Sequence, residues 1–91
     1  MAEIIDLALL SDARRYLHKL LDSRGLAYFL RPDPKRPYEL APQRVELVLR
    51  VAAKRTGRSG PPHRKAVEHA RNEIRRELIR RVVAEMVQIG F

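Results

Sequence analysis

No cysteine occurs in the chain, which excludes disulfides and thiolate metal sites and fits a reducing compartment. No apolar run approaches the roughly 18–20 residues that cross a bilayer, so no membrane role is expected. Glu3 and Asp6 stand where a secretory leader would be basic, and the expected location is cytoplasmic. Asn72 is the sole asparagine, so side chains that read base edges are scarce. Gly-x-Ser-x-Gly and P-loop patterns are both missing. His63 and His69 are six apart, a spacing that does not put two ligands on one helix face. No catalytic residue, cofactor or metal is expected, and the chain does not read as an enzyme.

Positive charge is abundant. The 91 residues carry 19 Lys and Arg against 11 Asp and Glu, a formal net charge of +8. Such a surplus attracts polyanions, nucleic acid first. Arg outnumbers Lys 15 to 4, and Arg can grip phosphate with two parallel hydrogen bonds where Lys cannot. The apolar fraction of 45% is that of a globular protein, enough for one small domain with a modest core.

The expected fold class is mainly α: three helices, at about 3–24, 42–56 and 61–89, with a short extended or β-hairpin segment at 26–40. In the first helix Leu10, Ala13, Leu17, Leu20 and Leu21 follow the three–four spacing of one buried face. Ser11-Asp12 offers an alternative start that would split this segment, and Gly25 marks its end. Leu26 to Arg31 is short and aromatic, which favours a strand; Pro32, Pro34 and Pro37 exclude helix beyond it. Tyr38-Glu39-Leu40 would return as a second strand, or the whole segment is an unpaired connector. Pro42 suits the first turn of the second helix and Gly57 its end. The third helix has a stripe of Val67, Ala70, Ile74, Leu78 and Val82. From Leu78 onward it is apolar nearly all round, so its end should pack against the other helices or against another copy.

The stretch from Lys54 to Lys65 carries Lys54, Arg55, Arg58, Arg64 and Lys65 and no acid. It reads as a stiff turn between two helices, with two glycines allowing unusual backbone angles and Ser59 able to cap the next helix. Lys54 and Arg55 complement the negative end of the helix before it. His63, Arg64 and Lys65 do the opposite, since they crowd the positive end of the helix after it. A phosphate would relieve that mismatch. Gly57-x-x-Gly60 resembles the glycine loop that clamps nucleic-acid backbone in KH domains. The order of elements around it departs from that family, because residues 26–40 cannot build a three-stranded sheet.

The expected function is therefore nucleic-acid binding through a basic helix-turn-helix-like turn, gripping the phosphate backbone with little sequence discrimination. DNA is favoured over RNA as the partner. Arg55, Arg58, Arg64 and Lys65 form the centre of the candidate site. Arg44, Arg50, Lys54, Arg71 and Arg75 support it, with backbone N–H groups from Ser59 to His63. Tyr28, Phe29 and Tyr38 either stack on unpaired bases or pack in the core. Two other readings stay open. One is an assembly subunit, such as a coat or packaging protein, that forms a homo-oligomer through the apolar ends of the first and third helices. The other is a small accessory subunit that docks on an acidic protein.

Overall fold

The computed structural model describes residues 4–57, 60 and 62–88, and its architecture is three packed helices. They are α1 (Leu7–Arg24), α2 (Pro42–Thr56) and α3 (Arg64–Gln88).

Helix α1 begins later than the apolar pattern suggests, and the reason is Asp6. Its backbone is extended, and its Oδ1 accepts the Leu9 N–H at 3.1 Å, which satisfies one of the free donors of the first turn. The helix then runs unbroken through Ser11 and Asp12, so no second start forms there. Asp12 is instead drawn inward, 9% exposed, with Arg15 at 3.6 Å and Arg55 at 3.9 Å. Gly25 ends α1 at φ 80°, a conformation costly for a residue with a Cβ, and its N–H donates to the Leu21 carbonyl at 2.9 Å.

The segment after Gly25 corrects the strand expectation. Leu26–Phe29 is a single turn of 3-10 helix, which drops the Phe29 ring into the core at 0% exposed. No strand forms among the described residues. The hairpin is reduced to one antiparallel bridge between Leu30 and Leu40. Two backbone bonds hold it: the Ala41 N–H donates to the Phe29 carbonyl at 2.7 Å, and the Arg31 N–H to the Glu39 carbonyl at 2.8 Å. Pro32, Pro34 and Pro37 supply no N–H, so a longer ladder has nothing to continue it.

The turn between α2 and α3 also differs from expectation. Gly57 has an ordinary φ of −80°. It is required for space, because a Cβ there would lie 2.7 Å from the Ala53 carbonyl oxygen and 3.0 Å from that of Gly60. Only Gly60, at φ 117°, needs the conformational freedom of glycine. Helix α3 starts at Arg64, so Pro62 precedes it instead of filling its first turn. The His63 ring takes the capping role, with Nδ1 accepting the Lys65 N–H at 3.1 Å. Ser59, the expected cap, lies outside the described residues, as do Arg58 and Ile89.

Side-chain pairs fix how the helices run. Arg14 meets Glu73, and four residues later His18 meets Glu77, so α1 and α3 are parallel. Asp12 faces Arg55 near the end of α2, while Tyr28, after α1, lies under Arg44 near its start; α2 is therefore antiparallel to α1. Between them sits a core of Leu9, Leu17, Phe29, Val48, Ile74 and Leu78, all under 2% exposed. Each large side chain buried in this way contributes about 1.5–3 kcal/mol before chain entropy is subtracted. Leu78 and Val82 carry this core along α3, but Ile79, Val83 and Val87 turn outward, 49%, 52% and 67% exposed. Ile4, Ile5 and Leu7 are also exposed, and the parallel course of α1 and α3 places them at the other end of the bundle.

Candidate nucleic-acid interface

Helix α2 buries Val45, Val48, Leu49 and Ala52 and so turns the opposite side to solvent. That side carries Arg44, Arg50, Lys54 and Arg55, all exposed. The only acid of α2, Glu46, stands one turn before Arg50, and its carboxylate reaches across to Arg71 of α3. Among the described residues, no carboxylate stands within ion-pair distance of Arg50 or Lys54. The four cations are not equivalent. The Arg44 guanidinium lies 4.1 Å from the centre of the Tyr28 ring, and its Nη1 donates to the Tyr28 hydroxyl at 2.7 Å. Arg55 is 5.4 Å from the Tyr16 ring centre and 3.9 Å from Asp12, and its side chain remains half exposed. Among the described residues, only Arg55 of the four faces a carboxylate; Arg44 is held by the neutral Tyr28 side chain, and Arg50 and Lys54 have neither.

The α3 members of the sequence-derived site have different surroundings. Arg71 is taken up by Glu46, with Nε bonded to Oε1 and Nη2 to Oε2 at 3.3 Å. The hydrogen bonds to Glu46 raise the pKa of Arg71 above its ordinary value, against partial desolvation, and Glu46 and Glu68 add favourable charge. This guanidinium is thus neutralised from inside the molecule. Arg64 and Arg71 share a shallow depression with Val67 and Glu68, so the flank that reads as a run of cations is interrupted by two acids. Arg75 is exposed at the edge of a separate cleft. Helix α3 opens with Arg64 and Lys65 and has no acid in its first turn, so the mismatch with the helix dipole persists locally. His63 donates no help through Nδ1, which is occupied as an acceptor.

Further along α3 the cations are matched by acids of the same helix. Glu73 receives Arg76 at 2.9 Å and Arg14 at 3.1 Å. Glu77 receives Arg80 at 3.4 Å and Arg81 at 3.7 Å. Among the described residues, a cation surplus therefore lies on the outer face of α2. Sequence reasoning missed two features here. Asp12 and Glu46 each engage a cation of the proposed site, although Glu46 was visible as the single acid of α2. Arg31 was absorbed into an expected strand and not considered as a binding residue.

Among the described residues, no group of three or more His, Asp or Glu is placed to hold a metal ion, and no helix is long and apolar enough to cross a membrane. Comparison with protein-family models, with curated proteins and with solved structures finds no match to this chain.

Proposed function

We propose that the chain binds the phosphate backbone of nucleic acid, with little sequence discrimination, through the outer face of α2 and the start of α3. One observation carries the reading: the solvent side of α2 carries Arg44, Arg50, Lys54 and Arg55, and the only carboxylate of that helix is engaged by Arg71. Of the four cations, Asp12 of α1 reaches Arg55 alone, at 3.9 Å. Positions 50 and 54 are one helical turn apart, about 6 Å along the axis, close to the spacing of successive phosphates. Binding is by charge neutralisation with release of condensed counterions, and no catalytic step is assigned. The scarcity of Asn and Gln supports contact with backbone over base edges.

The test is fluorescence anisotropy with labelled DNA and RNA at several salt concentrations. Affinity should fall steeply and log-linearly with salt. The double variant Arg50→Glu with Lys54→Glu should weaken binding about a hundredfold at low salt. Binding that ignores salt, or is unchanged in this double variant, would overturn the proposal.

A second reading is assembly. It is favoured by the exposed stripe Ile79, Val83 and Val87, which a solitary helix in water does not need. Light scattering on the purified chain, compared with Val83→Glu, tests it: a mass above the monomer that collapses in the variant supports assembly, and a monomer throughout excludes it. The two readings are compatible in a nucleoprotein subunit.

A further inference from the structure

The three aromatic side chains considered for base stacking have separate fates. Phe29 is sealed in the core at 0% exposed. Tyr28 packs edge-on against Phe29, with their ring centres 5.3 Å apart, and is covered by Arg44 and by Arg24 at 5.7 Å. Tyr38 alone has neither an aromatic neighbour nor a cation over its face among the described residues, and it is only half buried. It lines a cleft of about 310 Å³ formed where the loop after the 3-10 turn, the start of α2 and the middle of α3 converge.

The lining of this cleft is part apolar and part charged. Leu40, Val45 and Ile79 supply the apolar part. Ile79 is one of the few large aliphatic side chains the fold leaves in water, and here it has a concave surface to serve. Arg31, Arg71 and Arg75 line the cleft together with Glu39 and Glu46. Glu46 is bonded by Arg71; Glu39 has only Arg36 at 3.6 Å, and its buried Oε2 has no hydrogen-bond partner, so it is a negative group that an incoming phosphate must avoid. Arg31 and Arg75 are exposed and have no carboxylate within ion-pair distance among the described residues. Arg31 also borders a neighbouring depression with Pro32, Asp33, Pro42 and Gln43, so this exit carries one acid beside the cation.

From this juxtaposition we infer that the cleft takes one unpaired nucleotide of a single strand. The base lies on Tyr38, Leu40 and Ile79, and its phosphates lie on Arg31 and Arg75. The inference rests on the backbone-binding reading and sharpens its substrate class, from any polyanion to a strand with an accessible base. A duplex keeps its bases stacked inside and cannot offer one without paying to flip it. The strand would leave the cleft past Gln43 and run along the exposed face of α2 toward Arg50 and Lys54. The distance from position 43 to position 54 is about 16 Å along the helix axis, room for two to three nucleotides of extended strand.

The test uses the full chain, a labelled oligothymidylate of about twelve nucleotides and a duplex of equal length, because single-strand sites of this kind span several nucleotides. Tyr38→Ala should weaken oligothymidylate binding about tenfold, the scale of one lost base–aromatic stack, and leave duplex binding unchanged. Tyr38→Phe should retain single-strand binding, since the ring face remains. Arg75→Ala alters an exposed side chain that packs in no core, so it provides a second arm if Tyr38→Ala fails to fold; it should weaken the single strand more than the duplex. Equal losses on both polymers, or no loss on either, would overturn the inference while leaving the backbone reading intact. Weakened binding in Arg50→Glu with Lys54→Glu, alongside a silent Tyr38→Ala, likewise refutes only the cleft. A wild-type chain that binds neither polymer at low salt would refute both.

Discussion

Helices α2 and α3 are both rich in arginine, yet they present that charge in opposite ways. On α3 the acids Glu73 and Glu77 sit three or four residues before Arg76, Arg80 and Arg81 and take them up within the helix. On α2 the one acid so placed, Glu46, four residues before Arg50, is turned to Arg71 of α3, and Arg50 and Lys54 stay open to solvent. Counting cations therefore does not rank the helices by the charge each leaves unpaired. The useful quantity is cation surplus per face, after pairs at i,i+3 and i,i+4 and across the interface have been subtracted. Exposed pairs of this kind add only about 0.3–0.5 kcal/mol to stability, but each keeps a guanidinium occupied and lowers the field a polyanion would feel.

The contrast can be broken most directly by charge reversal. Arg50→Glu with Lys54→Glu should cut DNA affinity about a hundredfold at low salt and reduce the salt slope by about two, one for each lost phosphate contact. The matched change on α3, Arg76→Glu with Arg80→Glu, should cost far less, within about fivefold, because those groups begin half neutralised. Equal losses in the two double variants, read by anisotropy, would erase the distinction between the helices.

A second prediction concerns the turn that sets α2 against α3. Gly57→Ala forces a Cβ into the space held by the Ala53 and Gly60 carbonyl oxygens. It should destabilise the fold by about 1–3 kcal/mol, as overpacking commonly does. For a domain of this size that corresponds to a fall of roughly 4–8 °C in Tm per kcal/mol. An unchanged melting curve by circular dichroism would count against the close packing at this corner.

A third variant sharpens the comparison by converting an occupied cation into a free one. Glu46→Gln removes the carboxylate that holds Arg71. Binding should strengthen about two- to fivefold, the scale of one additional cation near the backbone. Stability should drop by no more than about 1 kcal/mol, since both side chains are more than a third exposed. The smallest effect is expected at Asp12. Its carboxylate is buried, its Oδ2 has no hydrogen-bond partner, and its cations stand at 3.6 and 3.9 Å. Asp12→Ala should change stability by less than about 1 kcal/mol, because the ion pair lost is long and Arg55 stays solvated. It should improve binding slightly by releasing Arg55.

Much of the helical scaffold was legible. Leu17, Ile74 and Leu78 declare their buried faces by spacing alone, and Gly25 and Pro42 mark boundaries that hold. The segment from Leu26 to Arg31 misled because its composition is that of a strand, whereas the decisive fact is tertiary: Phe29 has a hole to fill between helices, and the prolines beyond it deny a partner. The start of α3 was misplaced because His63 is an uncommon cap, and ring-nitrogen capping leaves little trace in sequence. The candidate site was half legible. Cations at 44, 50, 54 and 55 could be placed on one face by helical periodicity. The pairing of Arg55 with Asp12 and of Arg71 with Glu46 could not, because it depends on which face of one helix meets which face of another.

The guanidinium of Arg44 resting over Tyr28 has an optical consequence. The chain contains no tryptophan and three tyrosines, so its ultraviolet emission comes from few sources. Arg44 donates to the Tyr28 hydroxyl and shields the ring from water. A phosphate that draws Arg44 outward would uncover that chromophore and alter its quantum yield. Arg44→Ala fixes the uncovered limit of the signal. Tyrosine emission thus offers a label-free gauge of occupancy at the start of α2, without any dye attached to either partner.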